Sequence, residues 1–150
     1  MTFYHADYIK RRVEAYSRED LDALIRLQAE FVYTEENAAE LRRMFVARCQ
    51  GLPRETILGF YDPDPSVDVT PILGSIGVPV LVAHGREDRI GDFAAAEYIA
   101  AHLPDARLYA FEGKGHSPMF SATDEFCEVL KRFVRTGDAG EVVEAHRAKA

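Results

Sequence analysis

The sequence predicts an α/β protein, in which a helical region (residues 1–60) precedes a βαβα unit with parallel strands (residues 78–134). Apolar residues in the first sixty positions recur at helical intervals. Residues 78–83 instead form a short continuous apolar run, which is typical of a strand buried in a parallel sheet. A second strand pattern at residues 107–111 follows one helix later, and such crossovers make the two strands parallel.

The helical region is predicted to contain three amphipathic helices. Residues 17–20 have the spacing of a capping box, and a helix follows them. Its residues at helical intervals are Leu21, Leu24, Ile25, Gln28 and Phe31. Residues 34–37 can cap the next helix. That helix places three apolar residues on one face, Leu41, Met44 and Phe45. A third, shorter helix is predicted to start at Pro53 and to carry Ile57 and Phe60.

The remaining segments are a linker, the βαβα unit and a tail. Residues 61–77 contain three prolines and two glycines, which predicts a linker. In the βαβα unit, Asp92 can cap a helix that runs through His102, and residues 121–124 open the last helix. The last helix has one apolar stripe, formed by Phe126, Val129, Leu130, Phe133 and Val134. Residues 135–150 are predicted to form a polar tail.

Composition excludes several classes of protein. The chain has 150 residues, 47% of them hydrophobic, which is enough for one domain with a core. Its net charge of −7 would repel phosphate backbones, so we expect no nucleic-acid partner. No apolar run approaches the ~18 residues that span a bilayer, so we expect no membrane partner. Cys49 and Cys127 stand alone, which favours reduced thiols and a cytoplasmic location.

Charged residues follow each predicted strand. The Asp88 turn (residues 86–91) follows the first strand, and the His116 loop (residues 112–118) follows the second. Because the strands are parallel, both segments leave the same end of the sheet, where ligands bind in open α/β folds. Adjacent strands lie about 4.8 Å apart, so Asp88 and His116 can meet. A carboxylate beside an imidazole is the acid and base pair of a hydrolytic triad.

Two motifs resemble a known family. "VPVLVAHGREDRI" (residues 78–90), "ARLYAFEGKGHSPMF" (residues 106–120) and the closing helix are similar to the last third of the α/β-hydrolase fold. In that family the acid lies in a G-x-x-D turn and the catalytic histidine in a G-x-G-H loop. The resemblance implies that Asp88 is the acid and His116 the base. It also implies that residues 1–60 form the cap, or lid, inserted before the acid strand in many members.

The nucleophile of the family is not recognisable in this sequence. It sits on a G-x-S-x-G elbow between a strand and a helix, and the nearest imitation, residues 73–77 around Ser75, leads into a strand. The resemblance therefore implies the C-terminal half of a hydrolase, inactive by itself. It would act on a small-molecule substrate when completed by an N-terminal half. The expected assembly is a homo-oligomer or a complex with a complementing chain.

Two classes of function stay open. The first is a hydrolase half that serves the cleavage of an ester, amide or similar bond. The second is a non-catalytic α/β-hydrolase-like module for binding or protein association. Glu87 and Glu112 compete with Asp88 for the acid role, but we expect both to face water. We also weighed a metal site, whose ligands would be His84, Asp88, Asp92 and His116. No HxxxH or HxH spacing supports that site, so we expect no metal and no cofactor.

Two further groups of residues complete the sequence predictions. Aromatic residues and a methionine could line an apolar substrate pocket, although such residues on helices also fill cores; they are Tyr33, Phe45, Phe60, Tyr61 and Met119. Among the other histidines, His84 ends a buried strand and is expected to be structural. His5, His102 and His146 are expected at the surface.

Overall fold

The computed structural model describes residues 4–35, 38–61 and 68–140. Its elements in chain order are α1 (Ala6–Ser17), α2 (Leu21–Val32), α3 (Ala39–Cys49), α4 (Arg54–Tyr61), a 3₁₀ helix (Thr70–Ser75), β1 (Val80–Gly85), α5 (Phe93–His102), β2 (Ala106–Phe111), α6 (Pro118–Ser121) and α7 (Thr123–Thr136). Of the helices in these ranges, none combines the length and the apolar character needed to cross a membrane. The predicted order, a helical region and then a βαβα unit, is confirmed.

The core of the helical region is built on α2. Seven of its residues are buried, namely Leu24, Ile25, Leu27, Gln28, Ala29, Phe31 and Val32. The helix begins where Asp20 Oδ1 accepts a hydrogen bond from Ala23 N at 3.0 Å. The predicted capping box is wrong at its first residue, because Ser17 is the last residue of α1 and its hydroxyl donates to Val13 O. Asp20 is therefore the cap, and Glu19 turns the chain with a positive φ of 52°.

The other two predicted helices exist with different exposed faces. Leu41 and Phe45 of α3 pack against the core, but Met44 is exposed, so the predicted apolar face is narrower. Ala38, without a side-chain cap, precedes α3, and residues 36 and 37 lie outside the described residues. In α4, Ile57 is buried as predicted, whereas Phe60 is 71% exposed.

The two strands form a parallel pair, as predicted. The register runs from Val80 opposite Ala106 to Gly85 opposite Phe111. The first strand begins at Val80, two residues later than the apolar run, and ends at Gly85 instead of Ala83. Asp92 caps α5 as predicted, since its Oδ1 accepts from Ala94 N at 2.9 Å.

Helices cover both faces of the strand pair. Side chains alternate between the faces of a strand, so Val82 and Leu108 pack with α5, while Leu81 and Phe111 pack with α7. The prediction that β1 is fully buried is nevertheless wrong, because residues 80–84 are only half-buried. In the described residues β1 has a strand partner along one edge only, so its other edge is left open.

The linker and the end of α7 also differ from prediction. Residues 62–67 lie outside the described residues, but the linker includes the 3₁₀ helix, where Leu73 is buried. The last helix continues to Thr136, two residues beyond the predicted end, and stops where Gly137 adopts a left-handed φ of 71°. Its apolar stripe is only partly covered, since Val129 is buried but Val134 is 75% exposed. Residues 141–150 of the tail are outside the described residues.

The helical region packs directly on the Asp88 turn. Ile90 is buried in one apolar cluster with Tyr8 and Phe31. Tyr4 forms an antiparallel bridge with Gly91, and His5 N donates to Ile90 O at 3.2 Å. The helices therefore cover the end of the sheet from which the Asp88 turn and the His116 loop emerge.

Candidate active site

Asp88 is held in a turn that backbone hydrogen bonds attach to the second strand. Arg86 N donates to Phe111 O at 3.0 Å, and Glu87 N donates to Lys114 O at 2.9 Å. The Asp88 side chain is only 2% exposed. Its Oδ1 accepts from Ile90 N at 2.7 Å and from Gly91 N at 3.1 Å. These two bonds fix the carboxylate and leave Oδ2 for another partner.

That partner is His116. Its Nδ1 lies 2.8 Å from Asp88 Oδ2, and an ionised carboxylate only accepts, so Nδ1–H is the donor. The imidazole is 41% exposed, in contrast to the carboxylate behind it. With the proton on Nδ1, a neutral ring keeps its lone pair on Nε2. The structure thus brings together the two residues that the sequence predicted to meet.

Close backbone packing determines the distance between the two segments. A Cβ added to Gly85, at the end of β1, would lie 2.0 Å from Gly115 O and 2.4 Å from Lys114 O. Real atoms do not approach so closely, so glycine is required at this position. The end of β1 and the His116 loop therefore touch through their main chains.

The pKa of Asp88 is set by opposing effects. Burial raises the pKa of the carboxyl group, but the hydrogen bond and the charge of His116, together with the Ile90 N–H, outweigh burial and hold the pKa below its ordinary value. The group is therefore a carboxylate at neutral pH. An ionised acid behind the histidine can stabilise an imidazolium.

Two other histidines surround Asp88. His84 Nε2 lies 3.4 Å from Asp88 Oδ2, and its Nδ1 donates to Gly85 O at 2.9 Å. The structural role predicted for His84 agrees with these contacts. The prediction for His5 is wrong, because His5 is half-buried and its Nε2 donates to Asp88 O at 2.9 Å. His102 is exposed as predicted, and His146 is outside the described residues.

Glu35 is a residue of this site that sequence reasoning missed. It lies just after α2, and its Oε1 accepts from Gly115 N in the His116 loop at 3.0 Å. The contact joins positions 80 residues apart, and the only local signal was a polar stretch interpreted as a helix cap.

The two competing acids are exposed, and Asp92, one of the four residues weighed as metal ligands, has another role. Glu87 is exposed, and Glu112 is exposed with Oε1 3.3 Å from Arg86 Nε. Asp92 caps α5. Within the described ranges, no group of three or more histidine, cysteine, aspartate or glutamate side chains has a geometry that could hold a metal ion.

The predicted pocket residues form two aromatic pairs and one isolated methionine, and Phe45 packs against the clusters of both Tyr33 and Tyr61. Tyr33 and Phe45 meet edge to face with ring centroids 6.1 Å apart, and Tyr33 also approaches Phe120 of α6 at 6.5 Å. Phe60 and Tyr61 meet each other at 5.0 Å, with Tyr61 buried in a cluster of the helical region. Met119, the fifth residue, is exposed on α6. Their role in substrate binding stays a prediction.

Ser75 is far from the geometry of a nucleophile elbow. It is the last residue of the 3₁₀ helix and is exposed, and its hydroxyl donates to Ile72 O at 2.7 Å. The strand that follows it begins at Val80. An elbow would instead place the serine between a strand and a following helix.

Comparison with known proteins identifies related chains. No family model matches. A pimeloyl-(acyl-carrier protein) methyl ester esterase of Nitrosomonas europaea is 34% identical over 91 residues, covering 53% of this chain and 36% of the esterase. A 2-hydroxy-6-oxo-6-phenylhexa-2,4-dienoate hydrolase of Comamonas testosteroni is 28% identical over 134 residues, covering 85% of this chain and 46% of that hydrolase.

A solved structure has the same fold. An esterase from Exiguobacterium antarcticum superposes with a TM-score of 0.75 at 22% identity, covering 87% of this chain and 48% of the esterase. The chain has a partial form of the α/β-hydrolase fold, as the sequence motifs predicted. It spans less than half the length of the curated relatives it matches.

Proposed function

We propose that this chain provides the acid and the base of a nucleophile–histidine–acid relay in an α/β-hydrolase. The observation that carries the proposal is the contact of 2.8 Å between His116 Nδ1 and the buried Asp88 carboxylate. The residue types, their order along the chain and the half-exposed imidazole all suit an acid that orients a base. Asp88 is the acid and His116 the base.

The chemistry follows from the protonation of the ring. Asp88 keeps the proton of neutral His116 on Nδ1, so Nε2 takes the proton of a nucleophile when that nucleophile attacks the substrate. The resulting imidazolium faces an ionised carboxylate and is stabilised by it. His116 then returns the proton to the leaving group. The bond cleaved is an ester, amide or similar bond, and an ester is favoured by the name of the relative from Nitrosomonas europaea.

The nucleophile belongs, in this proposal, to the part of the hydrolase fold that the chain does not span. The open edge of β1 and the exposed side chains of Val78 and Val134 suit the docking of that part. The partner is a complementing N-terminal half, with a homo-oligomer as the other assembly, and residues 1–60 act as the cap. The proposal includes a cytoplasmic location, because Cys49 and Cys127 are free thiols.

The test is reconstitution of an active hydrolase. The chain is co-expressed with the N-terminal half of the Nitrosomonas europaea esterase, and the hydrolysis of an aryl ester is measured. Asp88→Asn and His116→Ala should each lower turnover by about 10³- to 10⁴-fold, as loss of the acid does in the serine-protease relay. The double variant should be scarcely worse, because members of one relay are not additive.

Matched controls lie in the same two segments. Glu87→Gln and Glu112→Gln remove exposed carboxylates beside Asp88 and His116 and should stay within about threefold of the parent, as surface changes usually do. The chain alone serves as the blank and should hydrolyse the ester no faster than free imidazole. A complex that forms, hydrolyses the ester and tolerates Asp88→Asn would refute the assignment. A chain that assembles but supports no hydrolysis with any partner half would favour the non-catalytic module.

A further inference from the structure

The Glu35 carboxylate lies where the helical region meets the His116 loop. Its Oε1 accepts the Gly115 N–H at 3.0 Å, and Gly115 immediately precedes His116. The relay proposed above gives Glu35 no step in the reaction. The contact nevertheless connects the proposed cap to the main chain that carries the proposed base.

Packing leaves Gly115 little freedom to move. A Cβ added to Gly115 would lie 2.4 Å from Thr34 Oγ1 and 3.3 Å from Val32 O. On the other side, Gly115 O is in close contact with the end of β1 at Gly85. The loop is therefore held between the sheet and the segment that ends α2, and the direction of the His116 side chain depends on both.

Glu35 makes its contact as a charged group. Burial raises the pKa of the Glu35 carboxyl, but the hydrogen bond from the Gly115 N–H, with a smaller effect from the charge of Lys114, helps to outweigh burial and hold the pKa below its ordinary value. Hydrogen bonds to an ionised acceptor are stronger than those between neutral groups. The bond to Gly115 is thus suited to holding the loop in place.

The second oxygen of Glu35 is not explained by packing. Oε2 is buried and has no hydrogen-bond partner among the residues that the structure describes. A buried polar atom without a partner is unfavourable for folding. A glutamate at this position therefore lowers the stability of the fold. Its contact with the His116 loop gives a functional reason for having a glutamate there.

We propose that Glu35 is a positioning residue for His116. It holds Gly115 so that His116 Nδ1 faces Asp88, and it makes that alignment depend on the helical region. The inference rests on the proposed function, since the alignment matters for chemistry only if His116 is the base.

Nuclear magnetic resonance of the full chain tests this without an assay of hydrolysis. In Glu35→Ala, the Gly115 amide should exchange at least about tenfold faster, because it loses a charged acceptor. The ¹⁵N signals of neutral His116 should show a smaller fraction of the Nδ1-protonated tautomer. Amides of α5 should keep their exchange rates. Glu35→Gln retains an oxygen for Gly115 and should fall between the parent and Glu35→Ala, while Glu55→Ala, an exposed acid of the same region, should change neither signal.

The outcomes separate this inference from the proposed function. Unchanged exchange of the Gly115 amide and unchanged His116 signals in Glu35→Ala would overturn the role proposed for Glu35. Equally faster exchange of all amides, including those of α5, would also overturn it, because Glu35 would then be only structural. If Glu35→Ala does not fold, an unchanged Gly115 amide in Glu35→Gln overturns it. Asp88→Asn is recorded alongside. If the ¹⁵N signals of His116 do not change in Asp88→Asn, the acid and base pair itself is refuted. If they change in Asp88→Asn but not in Glu35→Ala, only the role of Glu35 is refuted.

Discussion

The helical region and the βαβα unit cover their apolar residues to different extents. Seven of the twelve residues of α2 are buried by the neighbouring helices. In β1, by contrast, five of six residues are only half-buried although the sequence is almost entirely apolar. Leu130 and Val134 of α7 are also exposed. In the helical region α2 is thus well buried, while in the βαβα unit the apolar residues of β1 and α7 stay partly exposed.

The region whose apolar residues are better buried is not the region with the more specific sequence motifs. The βαβα unit carries the specific motifs, and the helical region carries only helical periodicity. In the βαβα unit one edge of β1 is open among the described residues, and Asp88 and His116 lie at the end of the sheet that the helices cover. The two regions meet at Ile90, which is buried with Tyr8 and Phe31. We therefore expect them to unfold together.

The largest effect is expected from truncating one core residue in each region. Phe31 in the helical region and Phe111 in the βαβα unit are almost fully buried. Phe31→Ala and Phe111→Ala should each lower the free energy of unfolding by about 3–5 kcal/mol, because each leaves a cavity. Urea denaturation followed by circular dichroism measures the loss, and one shared transition is expected in every variant.

Phe60→Ala is the matched control, since that ring is 71% exposed. It should change the free energy of unfolding by less than about 0.5 kcal/mol. Two separate transitions, with Phe31→Ala shifting only one of them, would show that the contact at Ile90 does not couple the regions.

The Asp88 turn, where the two regions meet, should make the free energy of unfolding depend on pH. The pKa of Asp88 is lower in the folded chain than its ordinary value, so its contribution to stability is complete above about pH 4 and disappears as the pH falls through the folded pKa. Asp88→Asn should cost about 1.5–3 kcal/mol at pH 7, the range for hydrogen bonds to charged groups. The cost should shrink at pH 3. Urea midpoints of both proteins across pH 3–7 measure this, and a cost that stays constant across that range would contradict the role of the charge.

The smallest effect is expected at one helix cap in each region. Asp20 caps α2 and Asp92 caps α5, each through one bond from its side chain to a backbone N–H. Asp20→Ala and Asp92→Ala should each cost about 1 kcal/mol. Glu97→Ala, an exposed position within α5, should stay within about 0.5 kcal/mol. If Asp20→Ala lowers the free energy of unfolding but Asp92→Ala does not, the start of α5 opens before the rest of the chain unfolds.

Local patterns explain which features the sequence could predict. The parallel strands and the meeting of Asp88 with His116 follow from one apolar run, one crossover and the rule for its hand, all within 40 residues. The bonds from Glu35 to Gly115 and from His5 to Asp88 O join positions 80 and 83 apart. No spacing rule links such positions, because they meet only through the packing of the helices. The open edge of β1 follows from local patterns as well, because the sequence has only two legible strands and a two-stranded sheet leaves strand edges unpaired.

The main-chain contact between Gly85 and Gly115 has a consequence for protein engineering. Side-chain packing elsewhere adapts to substitution by changing rotamers, but two backbones in contact have no such freedom. Libraries that vary the helical region or the exposed surface of this chain can therefore change many surrounding side chains. Gly85 has to stay constant in all of them, because a Cβ there would strike the main chain of residues 114 and 115 and change the separation between Asp88 and His116.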